Sequence, residues 1–238
     1  MTWDRKPPVG MPGRGMPGRG PVVGSGLPER GRRPFVRPPD DPPGTSRLFV
    51  ALPVADEVRT DIAELMTAVA GAPIDERAFG QPRWVRVEGL HVTMRFLGAT
   101  PDEKQPALAA ALRAAAAGAA PFEITLSGGG AFPNAVRPRV LWIGIAEGAD
   151  RVESLVHRLG VQLEPLGWPP ESRPFTPHLT LARTDGVPGA DERAKTLAEL
   201  ARDVRFSWSA DRIVLYRSIV GHGPTRYEVL AEAELAGE

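Results

Sequence analysis

The sequence predicts an α+β fold built on antiparallel sheets, and three observations carry that expectation. Apolar strand-like runs come in groups between helices instead of alternating with them one for one. Four stretches read as helices, most of them with apolar residues at helical spacing. One strand pattern, His-X-Thr flanked by apolar residues, occurs twice, at His91 and at His178, and each copy stands between two helical stretches. The repetition suggests two related lobes, although the halves share little sequence outside the motif.

Taken in order, RLFVAL at 47–52 reads as a buried strand, and Val58, Ile62, Leu65, Met66 and Val69 then mark one face of a helix that begins near Asp56. RWVRV at 83–87 and HVTMRFL at 91–97 read as two strands joined by a tight hairpin through Glu88-Gly89-Leu90. Gly98 and Thr100-Pro101-Asp102 supply stop and start signals for an Ala-rich helix over 101–117. In the second half FEITLSG at 122–128 and RVLWIGI at 139–145 are strands. The Gly-rich stretch LSGGGAFP lacks the Lys-Ser/Thr of a P-loop and is expected to be a loop near a bulge. Val152, Leu155, Val156, Leu159 and Leu163 mark the next helix. HLTLAR at 178–183 is a strand, 190–203 a helix, and 206–208, 213–218 and 227–235 are closing strands. Trp84, Trp142, Trp168 and Trp208 fall in or beside apolar segments and are expected in the core.

A chain of 238 residues that is 42% hydrophobic has enough apolar side chain for a sizeable core. Residues 1–44 differ: 11 Pro, 9 Gly, 8 basic against 4 acidic residues, and a tandem MPGRG at 11–20. Such a segment cannot bury enough apolar surface to offset its ordering entropy, so a disordered tail is expected there and a folded domain over 45–238. That domain holds 21 basic and 25 acidic residues, and the whole chain is formally neutral. A protein that grips long nucleic acid through its phosphates is therefore disfavoured, and a small or terminal substrate fits better. The absence of cysteine excludes disulfides, a thiolate nucleophile and Cys-ligated metal. The most apolar window, ALAAALRAAAAGAA, is mostly Ala and contains Arg113, and the N-terminus has no signal-peptide core. No membrane partner and a cytoplasmic location are expected.

The chemistry lies in the repeated motif. With 4 histidines in the chain, chance supplies on the order of 0.2 His-X-Thr triplets. Residues i and i+2 of a strand share a face, so His91, Thr93 and Arg95 are expected on one face while Val92, Met94 and Phe96 pack inward. His178 and Thr180 repeat this, with Leu179 and Leu181 inward. If the two strands face a common cleft, it holds two imidazoles and two hydroxyls. One neutral and one charged imidazole suit in-line displacement at phosphorus, one taking a proton from the attacking oxygen and the other giving one to the leaving oxygen. Thr hydroxyls can donate to non-bridging oxygens, and an Arg can balance charge. No metal is required, and neither motif has HExxH or HxH spacing. His157 is expected to be solvated on its helix. His222, in GHGP, is expected in a turn, with substrate contact as the alternative.

On these residues the sequence resembles the 2H phosphoesterase superfamily, and within it the RNA 2′,3′-cyclic phosphodiesterases once called 2′-5′ RNA ligases. RLFVALP, RWVRVEGLHVTMRFLG, GAFPNAVRPRVLWIGI, RPFTPHLTLAR and LYRSIVGHGPTRYEVL follow the family's order from about Arg47 to Leu235. Arg95 stands where the family commonly has Lys, and the tail is outside the pattern. The resemblance implies a bilobed α+β fold with pseudo-twofold symmetry, antiparallel sheets flanked by helices, and the active site in the groove between the lobes. It implies metal-independent, cofactor-free hydrolysis of a terminal 2′,3′-cyclic phosphate to a 2′-phosphomonoester, on RNA ends or small nucleotides; a monomer is expected, although the sequence does not fix the oligomeric state. By the same resemblance His91 and His178 are the acid/base pair and Thr93, Thr180 and Arg183 bind the phosphate; His91 is expected as the proton donor and His178 as the proton acceptor, an order the sequence itself does not decide. Strand parity sets Arg183 on the face opposite His178, so contact with phosphate needs a bulge or strand end there. Alternatives are another cyclic phosphodiester as substrate, reversible 2′-5′ joining of RNA ends, or a non-catalytic RNA-end binding module.

Overall fold

The computed structural model describes residues 41–73, 82–220 and 225–237. Residues 1–40 of the expected tail and His222 lie outside them. Just before the first strand, Asp41 pairs with Arg47 at 2.8 Å and Thr45 Oγ1 donates to the Pro42 carbonyl at 2.6 Å.

The elements run β1 (Thr45–Pro53), α1 (Asp56–Gly71), β2 (Arg83–Trp84), β3 (His91–Pro101), α2 (Gln105–Ala116), β4 (Phe122–Phe132), β5 (Val140–Glu147), α3 (Ala149–Leu163), β6 (His178–Arg183), α4 (Ala190–Leu200), β7 (Phe206–Ala210), β8 (Arg212–Ile219) and β9 (Arg226–Glu234). The strands make one antiparallel sheet in the order β7-β4-β5-β6-β3-β1-β8-β9, with β2 on β6. That order is symmetric about its centre. Each half has four strands, and the two His-X-Thr strands, β3 and β6, are neighbours at the join.

Alternation along the central strands explains the core. Leu48, Val50 and Leu52 of β1, Val92 and Met94 of β3, Leu141 and Ile143 of β5, and Leu179 and Leu181 of β6 are all buried. They join the predicted helix faces, including Ile62 and Val69 of α1 and Leu155 and Leu159 of α3, in one cluster that runs through both halves. Each fully buried Leu or Ile contributes about 1.5–3 kcal/mol, and here that energy also ties the halves together. The helices strengthen the tie: α1, which follows β1, packs on α4 and β7, while α3, which follows β5, packs on α2 and β3. Each half therefore covers part of the other, which the pattern of apolar spacing does not reveal. Among the described residues, no helix is long and apolar enough to cross a membrane.

Three sequence expectations are corrected. The hairpin over 83–97 does not form: β2 is two residues long and pairs with β6 through Arg83↔Arg183 and Trp84↔Ala182, and 87–89 form a 3-10 turn. Val85 explains the preference, because its N–H donates to Leu181 O at 2.9 Å and takes the chain along β6. The Gly-rich stretch belongs to β4, whose register shifts between Ser127 and Gly129, so the bulge is present but the loop is not. Gly128 there has φ +74°, a conformation costly for other residues. A Cβ on Gly130 would lie 2.3 Å from the Trp142 ring. Finally, Trp208 is core and Trp84 and Trp168 pack against it, but the half-buried Trp142 stands beside His178, their ring centroids 6.1 Å apart.

Candidate active site

The two motif strands touch at one bridge, Val92↔Leu179. Both residues are fully buried, so the residues one step to either side face the opposite way, into the cleft. Antiparallel register then sets His91 across from Thr180 and Thr93 across from His178. Each imidazole has the other strand's hydroxyl as its cross-strand neighbour, and the two imidazoles lie on a diagonal. The four residues line one cleft of about 770 Å³.

Each strand carries a bulge at the same place. In β3 the pairing with β1 skips Met94, passing from Thr93↔Ala51 to Arg95↔Val50. In β6 the pairing with β5 skips Leu181, passing from Thr180↔Trp142 to Ala182↔Leu141. Both extra residues lie three positions after the motif histidine. A bulge reverses strand parity, so the fifth residue after each histidine returns to the cleft. In β6 that residue is Arg183, which lines the cleft with His178 and Thr180. In β3 it is Phe96, 60% exposed and lining the cleft, and not in the core as alternation alone implies. Arg95 is correspondingly turned off that face: its guanidinium donates to the Pro169 carbonyl and lies 3.6 Å from Glu171. The pseudo-symmetric pair is thus a cation on one side and an aromatic on the other.

Both imidazoles are anchored alike. His91 Nδ1 lies 2.7 Å from the Gly89 carbonyl and His178 Nδ1 lies 2.7 Å from the Thr176 carbonyl. A carbonyl oxygen only accepts, so each Nδ1 carries the hydrogen, and in the neutral ring Nε2 is the bare, basic nitrogen. The 3-10 turn over 87–89 places the Gly89 carbonyl, so the segment whose composition suggests a hairpin turn serves instead to orient an imidazole.

Aromatic rings enclose the imidazoles. The His91 ring has Phe49 at 4.8 Å and Tyr227 at 5.0 Å, with Tyr216 at 6.1 Å. His178 has Phe132 edge-on at 4.9 Å. His91 keeps part of its surface open to the cleft, but its ring is walled in, and this burial pulls its pKa down from 6.5 to about 4. The Gly89 carbonyl opposes the fall, while Arg183 and His178 add to it. His178 is shifted down too, first by burial, against the Thr176 carbonyl, and then by Arg183. Arg183 is thus near enough to act on both rings, and among the described residues no carboxylate pairs with it. An anion bound between the histidines would meet this guanidinium and reverse the charge balance that keeps both rings neutral.

Sequence reasoning did not pick out Phe49, Tyr216, Tyr227 or Phe132, because their apolar context reads as core. Signals for two of them exist only in pairing: Phe49 and Tyr216 are partners across β1 and β8. His157 is exposed on α3. No group of three or more His, Cys, Asp or Glu suited to a metal occurs among the described residues.

An antiparallel sheet with two His-X-Thr strands at its centre and their imidazoles in one cleft defines a two-histidine phosphoesterase architecture. The family model described as the 2′-5′ RNA ligase superfamily matches residues 53–221, and the chain belongs to that family. A Thermus thermophilus protein named RNA 2′,3′-cyclic phosphodiesterase is 34% identical over 204 residues, covering 81% of this chain and 91% of the relative. A Geobacillus stearothermophilus protein of the same name is 32% identical over 194 residues; the match covers 81% of this chain but only 58% of that relative's length. Among solved structures, TT0787 of Thermus thermophilus superposes with a TM-score of 0.62 at 31% identity, over 81% of this chain and 99% of that one. E. coli LigT complexed with 3′-AMP gives 0.62 at 27% identity, over 80% and 98%.

Proposed function

We propose that this chain is a metal-independent phosphodiesterase that opens a terminal 2′,3′-cyclic phosphate, on RNA or a nucleotide, to a 2′-phosphomonoester. The observation that carries the reading is the matched anchoring of His91 and His178, each Nδ1 held by a carbonyl so that Nε2 is left for the cleft. The names of the relatives, RNA 2′,3′-cyclic phosphodiesterase, support the substrate class.

His178 Nε2 takes a proton from water, the water oxygen attacks phosphorus opposite the 3′ oxygen, and the P–O3′ bond breaks. His91, protonated at Nε2, gives its proton to O3′. The product keeps its phosphate on O2′. Thr93 and Thr180 donate to the non-bridging oxygens, and Arg183 balances the charge that develops on them. Assigning the acid to His91 rests on its surroundings. Phe49, Phe96, Tyr216 and Tyr227 all lie on that side of the cleft, which favours the nucleoside, and the nucleoside owns the leaving oxygen. In the free protein the His91 pKa near 4 leaves it neutral at pH 7; the phosphate anion supplies the charge that raises it and loads the acid.

The test is hydrolysis, in excess EDTA, of an RNA oligonucleotide ending in a 2′,3′-cyclic phosphate, the product read by phosphorus NMR. A 2′-phosphate is expected. A 3′-phosphate would reverse the assignment of the leaving oxygen, and turnover that requires added metal would refute the mechanism.

A further inference from the structure

We infer that the cavity next to His91, on the β8–β9 side of the cleft, is the subsite that holds the phosphodiester and nucleotide immediately upstream of the cyclic phosphate. The inference rests on the reading above, in which His91 serves the 3′ oxygen, and it follows from ribose connectivity. C4′, which carries C5′ and the rest of the strand, is bonded to C3′, and C1′, which carries the base, is bonded to C2′. A sugar that turns O3′ toward His91 therefore directs its 5′ chain past His91.

What lies past His91 is a cavity of about 500 Å³ that shares His91, Thr225 and Tyr227 with the catalytic cleft. Arg59, Arg86, Arg212 and Arg226 line it, together with Tyr216. Asp56 holds Arg59 at 2.6 Å and Asp211 holds Arg212 at 3.0 Å, so Arg86 and Arg226 are the guanidiniums best placed to meet a phosphate diester at this opening, which is continuous with the catalytic cleft, and Tyr216, stacked on Phe49 at 5.2 Å, offers a face for a base. Two carboxylates also line the cavity, but they are committed to its arginines: Glu88 lies 3.5 Å from Arg86 and Glu232 lies 3.6 Å from Arg212. These are long, solvent-reached pairs of the kind that contributes little, so a phosphate diester can replace the carboxylate. Arg226 has no carboxylate partner among the described residues, and its exposed side chain is the cation most available to the strand.

The neutral chain does not oppose this, because only one or two upstream phosphates need be held. A second groove, on the far side of Phe132 and lined by Arg137, Arg139 and Arg173, serves as the internal control: ribose connectivity sends the 5′ chain there only if the histidine roles are exchanged.

The experiment compares kcat/KM for a nucleoside 2′,3′-cyclic phosphate and for a dinucleotide ending in the same cyclic nucleotide. It uses the full chain, the Arg86→Ala/Arg226→Ala variant and the Arg137→Ala/Arg139→Ala variant. The wild type is expected to prefer the dinucleotide by about tenfold or more. Its dinucleotide rate should also fall more steeply with salt, by roughly 0.7 in the log–log slope per phosphate held. The preference should shrink to about threefold or less in the Arg86/Arg226 variant, and persist in the Arg137/Arg139 variant. Equal wild-type rates and salt slopes on the two substrates would overturn the inference while leaving the proposed function standing. Loss of the preference only in the Arg137/Arg139 variant would overturn it too, and would exchange acid and base. Hydrolysis of neither substrate by the wild type would remove the reading on which it rests.

Discussion

Burial of the His91 ring makes folding stability depend on pH in a window that can be worked from the structure. The imidazole has an ordinary pKa of 6.5 and one of about 4 in the folded chain. The folded state therefore resists a proton that the unfolded state accepts, so stability is greatest above the unfolded value and is lost as pH falls from about 6.5 toward 4. At about 1.4 kcal/mol per pKa unit the full effect is about 3 kcal/mol, and about 2 kcal/mol of it is lost between pH 7 and pH 5. His178 moves in the same direction, and surface carboxylates add their own slopes, so the quantity to measure is a difference. Urea unfolding of the wild type and of His91→Gln, at half-unit pH steps from 7 to 5, isolates the one ring. The wild type should lose about 2 kcal/mol more than the variant across that range. Parallel curves would show that the ring is not held neutral by its surroundings and would refute the burial argument.

Further outcomes follow from the same geometry. Arg183→Met removes a cation that lowers both imidazole pKa values; NMR titration should find both rings moving up, and kcat should fall about 10²–10³-fold. Thr93→Val keeps shape but removes the hydroxyl proposed to donate to the phosphate, and steady-state kinetics should record a loss of about 10²-fold in kcat, with the circular dichroism spectrum unchanged. Leu179→Ala opens a cavity beneath the bridge that joins the motif strands, where Leu179 is fully buried. Denaturation should show a cost of about 2–5 kcal/mol. Gly130→Ala forces the Trp142 ring to move, since the new Cβ would lie 2.3 Å from it. A changed tryptophan emission and about 1–3 kcal/mol of lost stability are expected.

The chain states its secondary structure well wherever burial imposes a period. Val58, Ile62, Leu65, Met66 and Val69 of α1 are all buried, and the two His-X-Thr strands are legible because their inward residues are strongly apolar. The fold class is legible from the grouping of strands. Other features follow from long-range pairing, which local pattern does not encode. RWVRV has the composition of a strand, yet its partner is the distant β6 and not the adjacent β3. Parity along HVTMRF and HLTLAR fails after the threonine because a bulge enters each strand, exchanging Arg95 for Phe96 and bringing Arg183 to the cleft. The exchange of α1 and α3 between the halves, and the aromatic walls around the histidines, likewise arise only when strands far apart in the chain are set side by side.

Joint action of His91 and His178 on one phosphate is the core of the proposed mechanism, and single-turnover kinetics probe it without interference from product release. The rate of cyclic phosphate opening at saturating enzyme is compared for the wild type, His91→Ala and His178→Ala, with substrate affinity determined separately. Each variant should still bind the RNA end but open it at least about 10³-fold more slowly. The double variant should be hardly slower than either single one, because the two groups work as a unit. A single variant that turns over within about tenfold of the wild type would break the pairing and assign the chemistry to another group in the cleft.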